Sequence, residues 1–361
     1  MDNNILTPLR EKIDVIDERI LELLNDRAQI ALEIAEIKKS HKLDFYNPKR
    51  EQEILERLVK TNKGIFPNDT LKIIFKEVFC ATLSLEKPLT VAYFGPQATY
   101  THMATMRYFS SSCSYMPTGS IREVFEHVAT GKAVFGVVPI ENSNEGAINY
   151  TLDMFIDYDL SVYAEILMYV HHHLLSKCNE RSEIKKIYSF PLVTAQCRKW
   201  LEANMLGVPI FEATSTAQAA DTASGEEGAA AISSDLAAKI YNLNFIERNI
   251  ENIKDNVTRF LVISKESQER TGHDKSLIMF SAKDQPGSLY EILTPFKKQN
   301  INLTMIESRP SKRKAWEYIF FAEFEGHIDD KKVKKALDAV KKRSTFLKIL
   351  GSYPQVDTIE K

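Results

Sequence analysis

Two short stretches hold the residue types for polar chemistry. One is Val138-Pro139-Ile140-Glu141-Asn142-Ser143-Asn144-Glu145-Gly146, the other Asn256-Val257-Thr258-Arg259-Phe260. Each reads as a short apolar run ending in a cluster of hydroxyl, amide and charged groups. That is how a strand delivers polar side chains into a cleft. Thr258-Arg259-Phe260 supplies a hydroxyl that can donate, a guanidinium that can pair with a carboxylate, and an aromatic wall. More than 100 residues separate the stretches, so only a tertiary fold can join them.

The elements that would position these groups are legible around them. Residues 5–39 contain no Gly, and Pro only at position 8. Ile13, Ile16, Ile20, Leu23, Leu24, Ile30, Ile34 and Ile37 recur at helical spacing. About 35 residues at 1.5 Å each make a helix of roughly 50 Å. Such a helix cannot bury its stripe alone and calls for partner helices, as a dimer would supply. Asn47-Pro48 opens a second helix. Gly64 to Pro67 breaks the chain, and Asp69 is a candidate cap for a third helix running to Glu86.

Lys87-Pro88 marks a boundary, after which strands and helices alternate in an α/β pattern. Strands are expected at Thr90–Pro96, Phe135–Pro139, Leu160–Tyr169, Lys186–Ser189 and Ala229–Ser233, with helices around Ile121–Thr130, Cys197–Asn204 and Thr216–Ser224. Glu266 to Asp274 reads as a polar linker. The tail reads β-α-β-β-α-β, a ferredoxin-like order. Its strands are Leu277–Ala282, Leu303–Glu307, Trp316–Phe324 and Phe346–Leu350, and its helices lie near Ser288–Gln299 and Asp330–Lys342.

Composition narrows the function classes. A chain of 361 residues, 44% hydrophobic and 27% charged, accommodates two or three globular domains. A formal net charge of −2 argues against a general nucleic-acid surface, and runs such as Lys331-Lys332 read as a solvated helix face. No apolar run approaches the roughly 18 residues that span a bilayer, and the N-terminus lacks a signal peptide's apolar core, so a cytoplasmic protein is expected. The four cysteines have no CxxC spacing. His171-His172-His173 has no acidic or Cys partner at metal-site spacing, so no metal is expected.

Residue patterns in all three regions resemble known families. Leu9-Arg10-Glu11-Lys12-Ile13-Asp14, Arg27, Lys38 and Asn47-Pro48-Lys49-Arg50-Glu51 resemble the all-helical chorismate mutase class. The two polar stretches, with Ser189, Gln196-Cys197 and Ser215-Thr216-Ala217, resemble the motifs of prephenate dehydratase. Pro286-Gly287-Ser288-Leu289 and Glu307-Ser308-Arg309-Pro310, with Trp316-Glu317-Tyr318 downstream, resemble the phenylalanine-binding motifs of ACT domains. The whole chain is thus similar to the bifunctional chorismate mutase/prephenate dehydratase family (P-proteins).

The resemblance implies a helical mutase domain at 1–88, a two-lobed dehydratase domain at 89–266 resembling periplasmic binding proteins, and an ACT domain at 275–361. It implies that Arg10, Arg27 and Arg50 bind substrate carboxylates, with Asn47 beside them. Lys38 and Glu86 would sit at the ether oxygen and Glu51 at the substrate hydroxyl. Arg10 would serve the partner subunit's site. In the dehydratase, Thr258 would be the essential hydroxyl and Arg259 a carboxylate binder. Glu141, Asn142, Ser143, Ser189, Gln196, Ser215, Thr216 and Phe260 would line the cleft. Gly287, Ser288, Leu289, Glu307, Ser308 and Arg309 would bind phenylalanine. Neither reaction requires a metal or redox cofactor.

Five positions depart from the family pattern. Asn47 replaces a frequent Asp, and Glu86 stands where Gln is common and would have to be protonated to donate. Ser189-Phe190-Pro191-Leu192 lacks the usual His and Gln. Ala98 replaces a Gly, and strain is expected if that position needs a positive φ. Two rival readings are a non-catalytic amino-acid sensor and a dehydratase whose mutase is impaired through Glu86 and Asn47.

Overall fold

The computed structural model describes residues 3–41, 48–86, 89–109, 113–283, 285–310 and 318–356. Asn47, Lys87-Pro88 and Trp316-Glu317 lie outside them, as do the side chains of Lys49 and Glu86. The chain forms two units, one of residues 1–89 with 109–114, the other of 90–108 with 115–361.

The first unit consists of α1 (Asn3–His41), α2 (Pro48–Thr61) and α3 (Asn68–Glu86). With Lys38, Lys39 and His41 in its last turn, α1 sets cations against the negative end of its dipole. The third helix begins one residue before the expected cap. The Pro67 carbonyl accepts from Leu71 N at 3.0 Å, placing Asp69 inside the first turn, where its carboxylate meets the positive end of the dipole. Few side chains are buried here, among them Leu55, Phe79 and Thr82. The apolar stripe of α1 stays open, with Ile13, Ile20, Leu23 and Ile37 all at least half exposed.

The second unit begins with β1 (Thr90–Phe94), α4 (Tyr100–Tyr108), β2 (Ser114–Thr118), α5 (Ile121–Thr130), β3 (Phe135–Asn142), β4 (Gly146–Ala147), α6 (Asn149–Asp157) and β5 (Ser161–Tyr169). The chain then builds a second lobe. This comprises β6 (His173–Ser176), a 3-10 turn at Arg181–Glu183, β7 (Lys186–Ser189), α7 (Pro191–Gln196), α8 (Arg198–Asn204), β8 (Ile210–Glu212), α9 (Thr216–Ser224), β9 (Ala229–Ser233), α10 (Asp235–Ile240) and β10 (Asn244–Glu247). It returns through β11 (Val257–Ser264), which inserts antiparallel between β3 and β5. The two sheets have orders β2-β1-β3-β11-β5, with β4 on β3, and β10-β6-β9-β7-β8.

Local chemistry accounts for the helix starts in this unit. Ser120, Ser215 and Ser234 each accept from a backbone N–H in the first turn of α5, α9 and α10. Ala217, Ala220 and Ala223 on α9 meet Ala229 and Ala231 on β9, small side chains that let helix and sheet approach closely. Ala98 adopts φ 67°, the left-handed region that glycine prefers. Its N–H donates to His102 Nδ1 at 3.2 Å and its carbonyl accepts from Ser234 Oγ at 3.2 Å, so both sides of the strained residue are held.

The tail forms β12 (Asp274–Ser281), α11 (Ser288–Lys298), β13 (Leu303–Pro310), β14 (Tyr318–Glu325), α12 (Lys331–Arg343) and β15 (Phe346–Pro354), in a sheet of order β13-β14-β12-β15. Alternation gives the sheet two buried faces. Ile278, Phe280, Ala322 and Phe324 pack with α11 and α12. Leu277, Met279, Ile319, Phe321 and Leu350 join instead the apolar core of the first lobe, with Val162, Leu261 and Ile263. The connection at 265–273 is accordingly pinned: Arg270 pairs with Asp330 at 2.7 Å, and Thr271 donates to Asp274. At Gly351 the strands touch backbone to backbone, since a Cβ there would lie 2.3 Å from the Val162 carbonyl oxygen.

Candidate functional site

The two polar stretches are brought together by one antiparallel pairing. Thr258 lies opposite Asn142 and Arg259 opposite Glu141. The cluster on β3 ends its strand, as expected, but that on β11 opens its strand. Because the strands run in opposite directions, both clusters fall at the same end of the sheet. Asn142 Nδ2 donates to Thr258 Oγ1 at 2.8 Å and to Asn256 Oδ1 at 2.9 Å. Asn142 Oδ1 accepts from the backbone N–H of Asn144 and of Glu145, which ties the following turn to the same amide. Ser143 is committed to the backbone: its Oγ accepts from Val257 N at 3.0 Å. With Thr258 Oγ1 accepting from Asn142, its hydroxyl proton can point to a ligand.

Arg259 goes elsewhere. Neighbouring strand residues face opposite sides, so Thr258 and Arg259 cannot share one. Arg259 is 9% exposed, and its guanidinium faces the tail sheet. Nη1 donates to Glu323 Oε1 at 3.3 Å, and Nη2 pairs with Glu323 Oε2. Nε lies 3.4 Å from Glu165, and Nη1 3.7 Å from Glu141. Lys275 Nζ completes the cluster at 3.2 Å from Glu165 and 3.5 Å from Glu323. Burial opposes the charge on Arg259, and the surrounding Tyr353, Glu323 and Glu165 reverse this, raising its pKa. Burial would likewise raise Glu323, but Arg259 and Lys275 hold it below the ordinary carboxylate range. The expected carboxylate binder is thus an internal ion pair. The expected aromatic wall, Phe260, is 1% exposed and part of the sheet's interior.

The second lobe contributes from α7 and α9. Gln196 Nε2 donates to Glu145 Oε1 at 3.1 Å, bridging the two lobes. Its carbonyl therefore faces His172 Nε2, at 2.9 Å, and accepts from it. His172 Nδ1 lies 2.8 Å from the Tyr100 hydroxyl, which donates to the His171 carbonyl at 2.6 Å. The other histidines also have partners: His171 meets Glu251 and His173 meets Asp235. Ser215 caps α9, and the Thr216 carbonyl accepts from Ser233. Ser189 is fully buried at the end of β7, donating to the Phe190 carbonyl. Pro191 takes the first helical position of α7, and Leu192 is exposed.

In the helical unit, Arg27 Nη1 donates to Thr82 Oγ1 at 2.9 Å and its guanidinium lies over the Phe79 ring at 5.0 Å. Burial lowers its pKa, and Glu51 opposes the shift. Arg10 is exposed on α1, and Lys38 is half-buried on the same helix. Arg50 pairs with Glu53 at 3.1 Å.

In the tail, Gly287 takes φ 82° before α11, a value that favours glycine, and the Leu289 side chain packs on the tail core. Ser288 N donates to the Gln285 carbonyl. Glu307, Ser308 and Arg309 stand on β13 opposite Phe321, Phe320 and Ile319. Arg309 is already paired: Nε and Nη2 donate to the two carboxylate oxygens of Asp153 on α6, at 3.0 and 3.3 Å. Sequence reasoning missed Asp153, Glu165, Lys275 and Glu323. A usable signal existed, since Glu165 and Glu323 each interrupt an apolar strand and a buried carboxylate needs a partner.

A unit of three helices, a two-lobed α/β unit with a hydroxyl–amide pair at one sheet end, and a ferredoxin-like tail define a multidomain enzyme. Chorismate mutase type II matches residues 9–87, prephenate dehydratase 91–268 and the ACT domain 276–342. The bifunctional chorismate mutase/prephenate dehydratase of Aquifex aeolicus is 48% identical over 97% of this chain and 98% of its own length. That of Pseudomonas aeruginosa is 40% identical over 98% and 99%. A solved prephenate dehydratase from Arthrobacter aurescens, in complex with L-Phe, superposes with TM-score 0.69 at 33% identity, covering 74% of this chain and 90% of its own. The chain belongs to the bifunctional chorismate mutase/prephenate dehydratase family. The sensor and impaired-mutase readings are not favoured by these relatives.

Proposed function

We propose that the chain rearranges chorismate to prephenate in its helical unit and converts prephenate to phenylpyruvate between the two lobes, with phenylalanine acting on the ACT domain as inhibitor. The first reaction is pericyclic and needs no nucleophile. It needs cations that hold a compact conformer and stabilise charge on the ether oxygen. Arg10, Arg27, Arg50 and Lys38 are the cations for that task, with Asn47, Glu51 and Glu86 as further contacts. The open stripe of α1 supports a homodimer, in which Arg10 serves the partner's site. A cytoplasmic enzyme fits the absence, among the described residues, of any helix long and apolar enough to cross a membrane.

In the second reaction the ring hydroxyl leaves and takes up a proton. The bond to the ring carboxylate breaks, its electron pair enters the ring, and carbon dioxide departs. Thr258 is the donor to the leaving hydroxyl, with Asn142 fixing its rotamer. Ser143, Gln196, Ser215 and Thr216 are further contacts of the pocket, while Glu141 stands with Arg259 and Ser189 is fully buried. The observation that carries this reading is the 2.8 Å Asn142–Thr258 hydrogen bond between residues 116 apart. The test is Thr258→Val, which keeps the shape and removes the hydroxyl. Phenylpyruvate formation is expected to fall by about 10²–10⁴-fold while prephenate formation from chorismate continues. An unchanged dehydratase rate refutes the assignment of Thr258.

A further inference from the structure

Glu323 sits inside β14 with its side chain fully buried, on the sheet face that meets the first lobe. Its carboxylate accepts from Arg259, and from the Thr304 and Tyr353 hydroxyls at 2.5 Å each, which with Lys275 nearby uses its lone-pair capacity. A carboxylate buried this deeply is retained only when its partners are well placed. Arg259 and Lys275 balance Glu165 and Glu323, while Glu141 stands 42% exposed at the edge. The paired guanidinium of Arg259 belongs to the residue next to Thr258. Fixing one strand residue on its face sets the direction of its neighbour on the other.

We propose that Glu323, a residue of the regulatory sheet, is a positioning residue for the dehydratase: by clamping Arg259 it sets β11 so that Thr258 meets Asn142. The proposal rests on the dehydratase reading above, which the wild-type chain's production of phenylpyruvate tests separately. A regulatory domain that supplies part of the catalytic lobe's internal support differs from one that only binds an effector. Thr304, three residues before Glu307 on β13, shares the same carboxylate, so the strand of the effector motif also touches the clamp.

The experiment compares Glu323→Gln and Glu323→Asp in the full chain. Prephenate turnover is the readout, chorismate turnover is the internal control, and melting checks the fold. Gln keeps the shape without the charge; Asp keeps the charge with a shorter reach. Glu323→Gln is expected to lower kcat on prephenate by about 10²-fold, the effect of a roughly 1 Å displacement at a reacting group. KM should stay within about threefold, because ground-state contacts are intact. Glu323→Asp should recover part of kcat. Gln equal to or better than Asp, or wild-type rates in both, overturns the proposal. If Glu323→Gln fails to fold, the double variant R259Q/E323Q removes both charges and leaves neither unpaired. It should be no slower than R259Q alone. A further loss on adding E323Q to R259Q would mean the two act independently and would also overturn it.

Discussion

Gly351→Ala tests whether the tail sheet and the first lobe form one structure. The residue has φ 145°, a conformation open to glycine and strained for alanine. A Cβ there lies 2.3 Å from the Val162 oxygen and 2.9 Å from its nitrogen, where ordinary contact begins at 3.4 Å. Relief therefore needs a shift of about 1 Å, and the obstacle is backbone, which no rotamer change removes. Moving β15 off β5 by that distance forfeits a quarter to half of the dispersion along the contact. Overpacking costs about 1–3 kcal/mol and the backbone strain a similar amount. A destabilisation of about 3 kcal/mol is expected, a large share of a stability of about 5–15 kcal/mol. Calorimetry should show the corresponding transition fall by roughly 6–12 °C. Chorismate turnover, carried by the helical unit, should persist at temperatures where dehydration is lost. Trimming Val162 to Ala should not rescue, because the clash is with its main chain. A Gly351→Ala protein that melts within a degree of wild type would refute the contact.

The remaining expectations concern Ala98 and His172. Ala98→Gly removes left-handed strain of about 1–2 kcal/mol at the loss of a buried methyl worth about 0.8 kcal/mol; a small rise in melting temperature is expected, and a fall would show that the methyl's packing outweighs the strain. Burial lowers the pKa of His172 despite opposition from Gln196 and Glu251, so below about pH 6.5 the unfolded chain takes up a proton that the folded chain refuses. Stability should then decline as pH falls from 7.5 to 5.5, and urea titrations of His172→Gln should show a shallower decline; equal slopes in the two proteins would refute it.

Much of the architecture was legible in periodicity. The alternation in the tail follows from burial of alternate faces, the helical spacing in α1 marks the helix although its stripe stays open, and Ser215 precedes the helix read at Thr216–Ser224. Ala98 was legible as strained because the need for positive φ is local. Arg259 was not, because its role depends on which sheet covers its face. Motif spacing places Thr258 and Arg259 side by side, and only the pairing of β11 between β3 and β5 shows that one faces Asn142 and the other the tail. Arg309 shows the same limit: its partner Asp153 lies 156 positions away on another element.

The shared charge cluster also bears on the order in which the chain is made. Once Ser264 has left the ribosome, β11 can close between β3 and β5. Arg259 and Glu165 are then in place, but Glu323 is still to be synthesised. At roughly 5–20 residues per second, the interval before β14 emerges lasts several seconds. Throughout it, Arg259 has only Glu165 and Glu141 for company, and the lobe's apolar face awaits Leu277, Phe321 and Leu350. The lobe housing Thr258 therefore passes through a nascent stage with its charge unbalanced and its core open. The strands of the tail end that stage, so that a part of the chain translated later completes the interior of an earlier one.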